Sequence, residues 1–220
     1  MFSFLPFLLA AAVVGILHMS APDHWVTLSL LGRKAEWTRR KLFGISLATA
    51  SGHVAFSVVL GLIVVFVGLA VSTVFSHFLS IGIGVVMLVS GLIFGTRPLL
   101  AKTEAETPEQ ELKEEEERLL RHEKRGTELK GIGYFAVLGA ALSPDLSIVP
   151  VFLSAVPLGI MGSVYLSIVF AATSILTLLV LVQLGVGGLD KTFERVPEKY
   201  NDSLVGFVIA AIGIYILVAG

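Results

Sequence analysis

Three ionisable residues stand within seven positions of an otherwise apolar run, "GILHMSAPDHWVTLSLL", residues 15–31. They are His18, Asp23 and His24, with Pro22 between them. Imidazole and carboxylate together suit borderline first-row divalent metals such as nickel, cobalt, zinc or iron. A calcium or magnesium site is built from oxygen ligands and would not collect histidines. On a straight helix of 3.6 residues per turn, His18 and Asp23 would stand about 140° apart and His18 and His24 about 120° apart. They would not meet on one ion. Proline lacks the helical N–H, and its ring clashes with the preceding turn, so a break at Pro22 would let the three side chains converge. Two further residues join the candidate set. His53, in "SGHVAFSV", is preceded by Ser51 and Gly52, small residues that permit close helix approach. Asp145 follows Pro144 in "LSPDL", and it could instead act as a helix N-cap. Carboxylates at membrane depth cost roughly 2.5–3.5 kcal/mol on insertion scales, so they are functional candidates by default.

The elements that must carry these residues are membrane helices. The 220 residues are 55% hydrophobic and 15% charged, against roughly 25% charged in a soluble domain. Mean hydropathy is +0.88. A crossing needs about 20 apolar residues. Six stretches qualify: 3–31, 43–69, 77–95, 131–157, 162–184 and 203–219. The first lacks the basic start of a signal peptide and runs past the length of its apolar core, so it reads as a retained span. Short uncharged connections are expected near "VSTVFSH" and "PLGIMG". All 16 Lys and Arg lie in 33–41, 97–130 and 191–199, which share one side in a six-span chain. The positive-inside rule places that side in the cytoplasm and both termini outside, in a multi-pass plasma-membrane protein. Of the 17 acidic residues, only Asp23 and Asp145 fall within spans.

The first and fourth spans are both long, and both carry X-Pro-Asp near the middle, "SAPDH" and "LSPDL". When the two aspartates are aligned, "ATASGH" (48–53) falls near "FAATS" (170–174). Three spans precede the fourth, so the second half enters the membrane from the opposite side. The expected fold is all-α, with six transmembrane helices in a 3+3 inverted-topology repeat and proline-broken first and fourth helices, a common transporter build. The expected units are a first three-helix repeat (1–95), a charged cytoplasmic loop (96–130) and a second repeat (131–220). The Glu-rich run within 103–130 reads as a solvated, helical segment. His77 at the outer edge and His122 in the loop read as solvated.

His18-Met-Ser-Ala-Pro-Asp23-His24 resembles the H-x4-D-H signature of the nickel/cobalt transporter (NiCoT/NicO) family, within the LysE-type transporter superfamily. "SGH" at 51–53 resembles that family's second motif, and "LSPDLSIVPVFL" at 142–153 is similar to a proline-containing motif in the second half of its shorter members. The resemblance implies that His18, Asp23, His24 and His53 select and carry the metal. The chain departs from the eight-span members, whose extra segments and motifs are absent, and a Glu-rich loop stands where some efflux members have a His-rich one. It also implies a cargo, nickel or cobalt first and zinc or iron next, rather than a permanently bound cofactor.

The leading expectation is therefore a divalent transition-metal permease that works by alternating access, not an enzyme. Its partners would be the metal ion and the lipid bilayer, with a homo-oligomer left open. A net charge of −1 gives no bulk attraction to nucleic acid. The absence of cysteine removes disulfides, thiolate metal sites and thiol redox chemistry. No "GxxxxGK[ST]" is present, so the chain carries no phosphate-binding loop of that kind. Two alternatives come from other classes. One is an intramembrane metal-dependent hydrolase with a metal-activated water, although no HExxH occurs. The other is a LysE-like exporter of a small solute, with the histidines structural or relaying protons.

Overall fold

A computed structural model of the chain describes residues 3–100, Glu117, 148–189 and 198–219, apart from the side chains at 22, 23, 34, 72–79, 188, 189, 198 and 199. All regular structure among the described residues is helical. Helix α1 (Phe4–Ser20) is followed at once by α2 (Pro22–Lys34), then by a long helical run, α3 (Arg39–Leu100). After the undescribed middle come α4 (Ile148–Leu153), a 3-10 turn (Val156–Leu158) and α5 (Gly159–Leu184). α5 runs into a π-helical turn (Gly185–Leu189), and α6 (Glu198–Ala219) closes the described chain.

Four helical stretches are long and apolar enough to cross a membrane, and the bent pair α1/α2 makes a fifth. Their outward faces are apolar, with Leu5, Val59, Phe66, Ile160, Ile168 and Leu176 each more than half exposed. In water such a surface would drive aggregation; against lipid it costs nothing. The chain is thus a multi-pass membrane protein by its helices, although they divide differently from the six separate spans expected. The second and third spans lie in one helical run, where 39–71 and 80–100 each qualify as a crossing. The connection expected near "VSTVFSH" falls between those two crossings, at 72–79, whose side chains are not among those described. At 1.5 Å per residue, 62 residues amount to about 93 Å, far more than one crossing of a bilayer about 30 Å thick.

The break expected at "PLGIMG" is present. The 3-10 turn ends there, and Gly159 takes φ +69°, a left-handed conformation natural to glycine. α4 and α5 nevertheless form one continuous apolar stretch, Ile148–Gly187. Most of the expected fourth span, including Pro144 and Asp145, lies outside the described residues, as do most of the 96–130 loop and His122.

Glycines fix how the helices pair. In a bilayer, association relies on close packing rather than on apolar transfer, and small residues let backbones approach. A β-carbon on Gly91 would strike the backbone nitrogen of Ala210, and one on Gly206 would strike the backbone of Gly95. One on Gly84 would lie 2.7 Å from Leu217 Cγ. These pairs run in opposite directions, so 84–95 of α3 is antiparallel to α6. Phe4 lies against Gly162, and Gly15 against Thr173 and Ser174, so α1 and α5 run in the same sense. Gly61 meets Phe152 and Gly68 meets Val156, so that part of α3 runs with α4. The backbone at Gly95 cannot yield as a flexible side chain would. Gly206→Val is therefore expected to destabilise the protein by about 1–3 kcal/mol or more, read as a lower melting temperature in detergent. Gly82→Ala, with open space around it, is expected to leave that temperature unchanged or slightly raised.

Two apolar clusters organise the interior. One joins Phe7, Ala11 and Val14 of α1 with Phe152, Phe170, Ile209 and Ile216. The other joins Met19, Trp25, Leu28 and Leu31 with Leu42, Ala50, Val54, Leu178 and Val182. The second cluster spans the break between α1 and α2, with Met19 before it and Trp25 after it.

Candidate metal centre at a helix break

α1 ends because Ala21 leaves the helical region for extended geometry (φ −60°, ψ 134°). Pro22 then opens α2 at its first position. Its missing N–H is no loss there, because the first N–H groups of a helix have no intrahelical partner. The two helices meet at 44°. Short bonds bridge the break: Ala21 N–H donates to His18 O at 3.2 Å and His24 N–H to Ala21 O at 3.2 Å. Trp25 Nε1–H donates to Ser20 O at 3.3 Å, tying the side chain of α2 to an end carbonyl of α1. Farther along, Arg33 Nη2 donates to Gly185 O at 2.7 Å, joining the far end of α2 to the π-helical turn.

The break brings His18 and His24 together. Their ring centroids are 4.6 Å apart with the rings nearly perpendicular, at 77°. His53 of α3 completes a triangle, with centroids 5.4 Å from His18 and 5.1 Å from His24. One ring nitrogen from each histidine lies within 4.8 Å of the other two. The shortest pair is His18 Nε2 to His53 Nε2, at 3.2 Å. Two nitrogens on a tetrahedral ion at about 2.0–2.1 Å stand about 3.3 Å apart. The closest pair already stands at that spacing, and the wider separations, up to 4.8 Å, must close toward it for the three to hold one cation. As a hydrogen bond, the 3.2 Å contact requires one Nε2–H to donate and the other Nε2 to accept, so the two rings take opposite tautomers. Joint ligation needs both Nε2 lone pairs, with both protons on Nδ1.

His18 and His53 are buried, at 7% and 4% exposure, while His24 is half-buried. Two of the three imidazoles are thus held within the packed helices. The site also lies at matched depth on its two elements: His18 is 15 residues before Arg33, and His53 is 14 residues after Arg39.

Of the five residues expected from the sequence, the structure brings three together. Asp23 lies in the first turn of α2, beside His24 in the chain, but its side chain is not among those described. Asp145 lies outside the described residues.

Four polar residues escaped the sequence reading, which treated hydroxyls in the spans as ordinary packing. Ser46, Ser57 and Ser174 have buried Oγ atoms without a hydrogen-bond partner, as does Gln183 at Nε2. A signal for two of them existed. Ser46, Thr49, His53 and Ser57 recur at steps of three, four and four residues, the spacing of one helix face.

No protein-family model matches this sequence, and no curated protein or solved structure matches it.

Proposed function

We propose that this protein is a membrane permease for a divalent transition-metal cation of the nickel or cobalt type, which the three histidines hold midway along the crossing helices. The observation that carries this reading is the convergence of His18, His24 and His53, from two helices and across a proline break, to within 4.8 Å. A structural histidine needs one hydrogen-bond partner. Three imidazoles facing each other within a membrane protein are better suited to a cation that replaces water with nitrogen ligands. The H-x4-D-H resemblance points the same way. Asp23 and Asp145 supply negative charge to the ion in this reading, and the metal is cargo rather than a resident cofactor.

The helix senses support the topology proposed with it. With the Lys/Arg-rich segments inside, α1 and α5 both run inward, 84–95 of α3 runs inward, and α6 runs outward. Those are the relative senses found at the glycine contacts. The 3+3 inverted repeat, the plasma-membrane location and the outward-facing termini belong to this proposal. Transport would proceed as the two halves rock about a fixed site and expose it alternately to each side. Because ligating imidazoles must be deprotonated, protons compete with the metal, and inward and outward proton concentrations bias loading.

Reconstitution tests the reading. Proteoliposomes holding a metal-sensitive dye are expected to show nickel or cobalt flux above protein-free vesicles, and His18→Ala proteoliposomes to show none above them. Metal binding without flux would remove the permease reading and favour a metal-dependent enzyme.

A further inference from the structure

Among the described residues, Ser20, Ser29, Thr49, Ser163, Ser167 and Thr177 return their hydroxyls to the carbonyl four residues earlier. This is the ordinary way for a helical hydroxyl to be satisfied away from water. Ser46, Ser57 and Ser174 do not. They are 0%, 1% and 0% exposed, and their Oγ atoms have no partner. Gln183 Nε2 is in the same condition. Buried polar atoms in folded proteins find a partner in protein or ordered water, and the exceptions call for one.

The positions of the three serines relate to one place. Ser57 stands one turn beyond His53 on α3, and Ser46 two turns before it, about 6 Å and about 10 Å along the axis. Ser174 lies against Gly15, three residues before His18. Gln183 stands nine residues past Ser174, about 180° around α5, and so faces away from it. Given the helix senses above, Ser57 and Ser174 flank the histidines on one side along the crossing, and Ser46 on the other. All three belong to α3 and α5, whose outward faces carry Val59 and Ile168 instead.

We propose that Ser46 and Ser57 of α3, with Ser174 of α5, line a passage, closed in this conformation, that hydrates as the protein opens and leads a divalent cation to the three-histidine cluster and away from it. This rests on the permease reading for the identity of the cargo, but not for the presence of water. The passage supplies hydroxyl dipoles that replace part of a cation's hydration shell, while the imidazoles bind it directly. Irregular or unsatisfied polar groups at membrane depth are stable where they line such water.

The chain contains no cysteine, so single cysteines report on the passage without background. Ser46→Cys, Ser57→Cys and Ser174→Cys would be reconstituted in the full chain and treated with a charged methanethiosulfonate reagent. Val59→Cys and Ile168→Cys serve as lipid-facing controls. A thiol in apolar surroundings is held protonated and inert, so the passage variants are expected to react at least about tenfold faster than the controls. Nickel chloride is expected to slow them. Reaction as slow as at Val59→Cys, with nickel binding retained, would overturn the passage and leave the permease reading standing. Fast reaction that nickel does not slow would establish the passage and remove the metal as its cargo. If a cysteine variant is not recovered folded, Ser46→Ala and Ser57→Ala take its place. They are expected to lower nickel flux severalfold with equilibrium binding unchanged, and unchanged flux would overturn the proposal.

Discussion

Replacing His53 by alanine is expected to lower the nickel affinity of the purified protein by more than about 100-fold, since loss of even an outer-shell partner of a metal ligand costs about 10–100-fold. His53 is the informative choice among the three. It comes from α3, 35 residues away from His18, and meets it at 3.2 Å. The local motif 18–24 is untouched by the substitution, so the loss reports the tertiary convergence rather than the motif. Buried among packed helices at 4% exposure, the imidazole leaves a cavity when truncated, and some loss of thermal stability will accompany the change. Isothermal titration of nickel separates the two effects, because His53→Gln retains most of the volume and a polar atom but no imidazole nitrogen. Both variants are expected to lose affinity, with His53→Gln closer to the wild type in melting temperature. His122→Ala, in the charged middle segment, is expected to bind as the wild type does. Wild-type affinity in His53→Ala would mean that the triangle is not the metal site.

The second large effect is expected at the break. Pro22→Ala should weaken nickel binding by about tenfold or more while holding or raising thermal stability. Proline costs about 3 kcal/mol in a helix interior, and alanine is the best helix former. The substitution restores an N–H that can bond back into α1, and it removes the bias against helix at Ala21, the residue before proline. Ala21 then has reason to leave the extended geometry it now holds. Straightening would carry His18 and His24 about 120° apart around one helix and about 9 Å apart along it, against ring centroids now 4.6 Å apart. Opposing this are the Trp25 bond to Ser20 O and the packing of Trp25 and Leu28, so the affinity falls rather than vanishes. Lower affinity together with unchanged or higher stability distinguishes a straightened site from a damaged fold. Circular dichroism should show a small gain in helix. Unchanged affinity would show that the tertiary contacts alone hold the bend.

The helix break was legible because it is local chemistry. A proline within an apolar run cannot continue a helix, and the residue before it is pushed to extended backbone, as found at Ala21. The meeting of His18 and His24 follows from that break. The connections near "VSTVFSH" and "PLGIMG" were both legible only as short uncharged gaps between spans; Gly159 turns the backbone at the second, and 39–71 and 80–100 stand as separate crossings on either side of the first.

By itself, then, the sequence determined that this is a helical membrane protein, where its first helix must break, and which residues could hold a cation. Each of these follows from the composition or backbone chemistry of a short stretch. Only the tertiary structure decided that His53 completes the triangle, that Gly91 and Gly206 bring α3 and α6 into backbone contact, and that Ser46, Ser57 and Ser174 keep unpartnered hydroxyls. Helix pairing in a bilayer has no strong apolar driving force and depends on shape at close range. A stretch of sequence lists the small and polar residues available for that contact, but the neighbour each one faces depends on elements a hundred residues away.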